Sequence, residues 1–492
     1  MSGAAPRAFF GHPAGLSTLF FTELWERFSY YGMRALLVLF LVASLQGGGL
    51  AMDDTTAYAI YGLYTAGVYI AAMPGGWIAD RLLGAQSAVF WGGVLIAAGH
   101  LILAVARSQP SFVLGLAVIV LGTGLLKPNC SALVGELYPQ GGARRDAAFT
   151  IFYLSINIGA VLGPLLTAWL ARHYGWHAGF AAAAIGMAVG LVWFRMTQQR
   201  LGDAGRRPPG APPEGPRRRD WIALGVMVVI VLAVGLALWT GLLRLSPLAL
   251  QRGAIWVILL LAGGYFAYLL LLAGLTAAER RGVLLLLLLV AASSIFWAGY
   301  EQAGSALNLF ADRYTDRLVG SFEIPTGWFQ SVPAAFVILC APLMAMLWVA
   351  LEQRGRDLSL VAKFGVGLAG MALGFLVMAG AARVLATTGS SAASFLVLTY
   401  FLHTVGELAL SPVGMSATTQ LVPRRFVGQA MGVWFTSLAM GNLLASRLAG
   451  ELDGATPEGI AAYFTKMFWI GAIPSLLLLA ASPRLTRWAR AK

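Results

Sequence analysis

The stretch from Phe21 to Val42 reads FTELWERFSYYGMRALLVLFLV, and its reading decides the fold. It is long and apolar enough to cross a bilayer as one helix, yet it carries Glu23, Glu26, Arg27, Tyr30, Tyr31 and Arg34. At about 100° per residue, Glu23, Arg27, Tyr30 and Arg34 fall within a sector of roughly 60°, flanked by Glu26 and Tyr31. An isolated charge at the bilayer centre costs at least ~2.5 kcal/mol, so these ionisable groups must face a wet cavity or one another. The rest of the chain is expected to supply that cavity and its partners.

Composition agrees with a chain that lives in a membrane. Of 492 residues, 59% are hydrophobic and only 11% charged, and the mean hydropathy is +0.75, which excludes a water-soluble multidomain protein. The 59 glycines suit helices that approach closely where lipid provides no hydrophobic drive. The net charge of +13 reads as arginines gathered in cytoplasmic loops, so nucleic acid is not implied. The two cysteines, Cys130 and Cys340, lie in apolar spans and are expected to be buried small residues, forming neither a disulfide framework nor a metal cluster. The opening MSGAAPRAFFGHPAG is too short and weakly apolar for a cleavable signal, so the first span is expected in the mature fold.

Runs of about 20 apolar residues give fourteen expected spans. The first six cover 16–45, 56–80, 86–107, 111–138, 147–171 and 177–197. The segment Thr197 to Asp220, TQQRLGDAGRRPPGAPPEGPRRRD, is too rich in proline, glycine and arginine to be helical or buried and is expected to be a linker. Two bland spans follow at 221–243 and 253–275, then six more at 282–311, 326–351, 358–386, 392–422, 425–450 and 460–481. Placing the N-terminus inside puts most of the 34 lysines and arginines in cytoplasmic loops, which favours an even number of spans with both termini cytoplasmic. The expected organisation is an N-terminal six-helix bundle (1–197), a cytoplasmic linker (198–220), an inserted transmembrane hairpin (221–275) and a C-terminal six-helix bundle with a cytoplasmic tail (276–492). Two six-helix bundles rocking about a midplane site make an all-α polytopic membrane protein of the major facilitator type. The stretch GGWIADRLLG, Gly75 to Gly84, resembles the cytoplasmic loop signature of that superfamily.

On the first helix, Glu23 and Arg27 at i,i+4, with Glu26 beside them, pair a carboxylate that can take up a proton with a cation that makes its ionisation conditional. In the fourth span Lys127 lies deep in apolar sequence and requires an anion, and Pro128 behind it is expected to interrupt the helix. Trp297, Glu301, Gly304 and Asn308 share a face of the seventh span, and His403 and Glu407 stand at i,i+4 in the tenth. Cations in the first half and acids in the second suit a zwitterion held by its two ends. The aromatics Tyr30, Tyr31, Tyr69, Trp297 and Trp434 are candidates for adaptable side-chain pockets.

The string Glu23-Leu-Trp-Glu26-Arg27-Phe-Ser-Tyr30-Tyr31-Gly32 resembles the ExxERFxYYG signature of the proton-dependent oligopeptide transporter family. The resemblance continues in Gly122 to Asn129, Phe149 to Pro164, Phe296 to Asp312 and Glu407 to Gly414. It implies proton-coupled symport of di- and tripeptides into the cell by alternating access, through the inner (plasma) membrane, by a monomer without a cofactor, driven by the proton gradient. Residue by residue it implies that Glu23, Glu26 and Arg27 form the proton-coupling cluster. Arg34 and Lys127 would receive the peptide carboxylate, with Asn157 and Glu407 near its amino end. Tyr30, Tyr31, Tyr69, Trp297, Glu301, Trp434 and Ser437 would complete the substrate site. The pairs Arg34 with Glu301 and Lys127 with Glu407 would be gating salt bridges.

Two positions depart from relatives. Pro333 stands after Phe329-Gln330-Ser331-Val332, where family members often have an asparagine that holds the peptide's amino end, which leaves Gln330 or Ser331 to substitute. Gly62 follows Tyr61 where animal members carry a coupling histidine, which throws weight on the first span. An alternative is a transporter of the same fold for nitrate or another small organic anion, against which the acids of the second half argue. No nucleophile or metal-ligand constellation points to an enzyme.

Overall fold

A computed structural model describes residues 7–140, 142–208, 217–240, 242, 246–356 and 358–490. Fifteen helical segments dominate it: α1 (Ala14–Val42), α2 (Asp54–Ile78), α3 (Ala85–Val105), α4 (Gln109–Glu136), α5 (Ala143–Tyr174), α6 (Trp176–Thr197), α7 (Arg218–Trp239), α8 (Pro247–Leu271), α9 (Ala277–Tyr300), α10 (Ala306–Arg313), α11 (Val332–Gln353), α12 (Leu360–Thr388), α13 (Ala393–Gln420), α14 (Val427–Ala449) and α15 (Pro457–Arg490). Each of the fourteen expected spans has its helix. The seventh is broken, with a 3₁₀ turn at Glu301–Gly304 between α9 and α10. Among the described residues strands form three two-stranded pairs: β1 (Arg7–Phe9) with β2 (His12–Pro13), β3 (Thr315–Asp316) with β6 (Ser391–Ala392), and β4 (Leu318–Val319) with β5 (Phe322–Glu323).

Among the described residues, eleven helices are long and apolar enough to cross a membrane by composition alone. The other three spans fall short because of what they carry. Charges disqualify α1, while tyrosines, glycines and hydroxyl residues dilute α2 and α14.

By their internal contacts the residues group into two units, Met1–Leu50 with Gly67–Ser246, and Ala51–Ala66 with Pro247–Lys492. In the first unit α1 packs against α5 and α6. A Cβ at Gly159 would lie 2.4 Å from the Leu24 carbonyl and 2.9 Å from the Arg27 Cβ, and one at Gly163 would lie 2.4 Å from the Phe28 carbonyl. Glycines four apart on α5 thus let two backbones touch, and α1 is held directly beneath its charges. Thr167 fastens the contact by donating to the Gly32 carbonyl at 2.9 Å. In the second unit α12 packs on α13 and α15 around Phe364, Met371, Phe375, Phe464 and Met467, all fully buried.

Three expectations need correction. Pro128 does not interrupt α4, which runs unbroken to Glu136. The carbonyl that a proline leaves without its helical donor is that of Gly124. Gly75 of α2 packs on this carbonyl so closely that a Cβ would lie 2.0 Å away. Asn129 also donates to Leu125 at 2.6 Å, so the helix stays closed around the gap. The expected linker is folded at both ends: Gln198–Leu201 form a 3₁₀ turn, Leu201 is buried, and Arg218–Asp220 belong to α7. Gly205 donates to Glu136 at 2.6 Å, and Gln86 binds the carbonyls of Gly202 and Ala204 at 3.1 and 2.7 Å. Its middle, 209–216, lies outside the described residues. Cys130 is fully buried as expected, but Cys340 is only half-buried.

Candidate functional site

The charged stripe of α1 folds inward. Glu23, Glu26 and Arg27 are at most 2% exposed. Arg27 Nε lies 3.2 Å from Glu23 Oε1 and also donates to Glu26 Oε2. One guanidinium thus serves two carboxylates. Their outer oxygens, Glu23 Oε2 and Glu26 Oε1, are buried and have no partner among the described residues. Tyr30 lies under the Arg27 guanidinium at 5.1 Å, and Tyr31 lies 5.8 Å from that of Arg34. Alternation by 3 and 4 along α1 brings these charges together on one side of the helix.

Lys127 joins the same unit from α4. Its Nζ sits 4.6 Å from the ring centre of Tyr69, so these two expected substrate residues form one cation–π pair. Lys127 also acts electrostatically on Glu23. Asn157 of α5 is 7% exposed and donates to the Tyr153 carbonyl at 2.9 Å.

The second unit gathers the acids. Glu301 is 5% exposed at the start of the 3₁₀ break, and Glu407 of α13 lies within its electrostatic reach. Trp297 is buried with an indole N–H that has no partner among the described residues. Ser437 of α14 pairs with Ser293 at 2.9 Å. Trp434 is 2% exposed, its ring lodged against Gly414 and edge-on to Phe364. His403 donates through Nε2 to the Met371 carbonyl at 3.1 Å and fits into space left by Gly374, which is the geometry of a packing residue. Gln330 donates to the Ala303 carbonyl within the 3₁₀ break.

Two residues were missed in the sequence. The Cys130 thiol hydrogen-bonds with Glu23, and its signal was its place one turn beyond Lys127 on α4. The Tyr300 hydroxyl hydrogen-bonds with Glu407. Nothing local to Tyr300 announces that contact, since its partner comes from another helix.

Comparison with known proteins gives the family and the fold. A model of the POT family matches residues 86–469. The peptide transporter YePEPT of Yersinia enterocolitica is 41% identical over 473 residues, covering 94% of this chain and 92% of that protein. A di-/tripeptide transporter of Lactococcus lactis is 35% identical, covering 96% of both. Among solved structures, a peptide transporter POT in complex with sulfate superposes with a TM-score of 0.92 at 40% identity, covering 99% of this chain and 98% of that one. A POT family transporter in complex with 5-aminolevulinic acid gives a TM-score of 0.89 at 33% identity, covering 98% of this chain and 99% of that one. A multi-pass helical protein that matches the family model over most of its length and its relatives almost end to end belongs to the POT family of transporters.

Proposed function

We propose that the protein carries di- and tripeptides into the cell by proton-coupled symport. The observation that carries the coupling is the buried cluster on α1, where Glu23 and Glu26 share one guanidinium and each keeps a buried oxygen without a partner among the described residues. A proton arriving there neutralises one carboxylate and frees Arg27 from it, so protonation and the arrangement of the cations are linked. Relatives named as peptide and di-/tripeptide transporters support the substrate class.

In this reading Arg34 and Lys127 receive the peptide carboxylate, Asn157 and Glu407 lie near its amino end, and Glu301 belongs to the substrate site. Tyr30, Tyr31, Tyr69, Trp297, Trp434 and Ser437 complete the site. The pairs Arg34 with Glu301 and Lys127 with Glu407 are made and broken during alternating access, which shifts the population between access states. The N-terminal residues 1–197 and C-terminal residues 276–492 act as the rocking bundles, with both chain ends in the cytoplasm of a cell whose plasma membrane holds the transporter as a monomer. The proton gradient is its only drive.

The test is uptake of labelled dialanine into liposomes under an imposed pH gradient, with free alanine and nitrate as competitors. Wild-type protein should accumulate the dipeptide, and Glu23→Gln should lose gradient-driven accumulation while retaining counterflow. Full accumulation by Glu23→Gln would remove the coupling role, and displacement by nitrate would favour an anion carrier.

A further inference from the structure

The second unit contains a polar contact that the family signature does not call for. Tyr300 is the last residue of α9, directly before Glu301. Its ring is stacked on Phe296 at 5.7 Å with 27° between planes, meets Trp297 edge-on at 5.3 Å, and lies 6.4 Å from the His403 ring. Three aromatic neighbours from two helices thus set its direction, and its hydroxyl hydrogen-bonds with the Glu407 carboxylate. Glu407 Oε2 is buried and has no partner among the described residues. The hydroxyl therefore serves the other oxygen.

We propose that Tyr300 is a positioning residue for the substrate's free amino terminus: it holds one oxygen of Glu407 and turns the other toward a primary ammonium. The inference rests on the peptide-transport reading and deepens it. A carboxylate with two buried, unserved oxygens would swing toward whatever donor lay nearest, because leaving such groups unpaired is costly. One fixed donor removes that freedom. An ammonium has three N–H donors and forms a short charge-assisted bond to the oxygen that remains, whereas an N-acetylated peptide end carries a single weaker donor and no charge. His403 does not compete for this part, since its Nε2 is engaged at Met371. Glu301, next in sequence, adds negative potential but no donor.

The experiment compares wild type, Tyr300→Phe, Glu407→Gln and the double variant, using dialanine uptake and inhibition of it by N-acetyl-dialanine. Tyr300→Phe keeps the ring and removes only the hydroxyl. It should raise the KM for dialanine about threefold to tenfold, leave kcat within about twofold, and leave weak inhibition by N-acetyl-dialanine unchanged. In the double variant Tyr300→Phe should add nothing to Glu407→Gln, because the hydroxyl acts through that carboxylate. Tyr300→His, which keeps a ring with an N–H donor, should recover part of the affinity and serves also if the phenylalanine variant does not fold. Equal loss for both ligands, or additivity with Glu407→Gln, would overturn the positioning role. An unchanged KM in Glu407→Gln would instead overturn the assignment of Glu407 to the ammonium. A raised KM in Glu407→Gln with a wild-type KM in Tyr300→Phe would overturn the role of Tyr300 alone.

Discussion

Gln251 of α8 donates through Nε2 to the Ser446 hydroxyl of α14 at 2.7 Å, and both side chains are buried. Ser446 in turn fills the space beside Gly62 of α2, where a Cβ would lie 1.9 Å from its Oγ. α8 is therefore fastened to α14, a helix of the same unit, by a buried polar contact.

The first prediction concerns that bond. A buried pair costs most when one partner alone is removed, because the survivor keeps its desolvation penalty. Ser446→Ala strands the Gln251 amide, whose Oε1 already lacks a partner among the described residues. It should destabilise the protein by about 1–2 kcal/mol in detergent melting. Gln251→Leu removes the whole amide and should cost less than Ser446→Ala, and the double variant should resemble Gln251→Leu. An equal or greater loss in Gln251→Leu would show that packing of α8, rather than the hydrogen bond, holds it against α14.

The α1–α5 contact gives the second. Gly159→Ala drives a methyl group against the Leu24 carbonyl and the Arg27 Cβ, neither of which can yield without moving α1. Overpacking of this kind costs about 1–3 kcal/mol. It should also weaken gradient-driven uptake, since Arg27 shifts with its helix. Gly235→Ala on α7, where nothing lies within 4 Å, is the control and should be neutral or slightly stabilising. Similar melting temperatures for the two variants would refute the close approach.

Asp54 and Arg313 supply the third. Arg313 Nη1 and Nη2 bind Asp54 Oδ2 and Oδ1 at 2.5 and 2.8 Å, a two-pronged pair joining the start of α2 to the end of α10. Such fork geometry is the case in which a part-exposed ion pair has measurable worth. Arg313→Lys keeps the charge but loses the fork, so it should lose about as much stability as Asp54→Asn does. Retention of wild-type stability by Arg313→Lys would mean that charge alone suffices.

How much of this was legible depended on whether the partner lay within one helix. The α1 cluster was readable as a set of neighbours because Glu23, Glu26 and Arg27 meet through helical spacing inside an apolar span, where they are buried and paired. The fourteen spans were readable because bilayer thickness imposes their length. Pro128 misled because a local rule was applied without its tertiary answer: the carbonyl it leaves open is covered by Gly75. The linker misled for a similar reason. Its composition is that of coil, but Gln86, on α3, offers an amide to its carbonyls. Tyr300 was invisible because the only sign of its bond is Glu407, which a different helix brings to it.

The last prediction lies outside the membrane, where β1 and β2 lead into α1. His12 Nδ1 meets the Tyr138 hydroxyl at 2.7 Å, and Arg144 binds the neighbouring Gly11 carbonyl at 2.7 Å. Desolvation, with the Arg144 guanidinium adding to it, holds the His12 ring below its ordinary value of 6.5. The native state therefore takes up this proton less readily than the unfolded chain. The contribution of neutral His12 to stability is complete above the ordinary value and is lost as the pH falls through it toward the depressed one. Melting temperatures of wild type and His12→Asn should differ most near pH 7.5 and converge toward pH 5.5, since asparagine offers a hydrogen bond but does not titrate there. Parallel curves across that range would show that the hairpin is held without regard to the charge on His12, and a gap that widened on acidification would reverse the sign argued here.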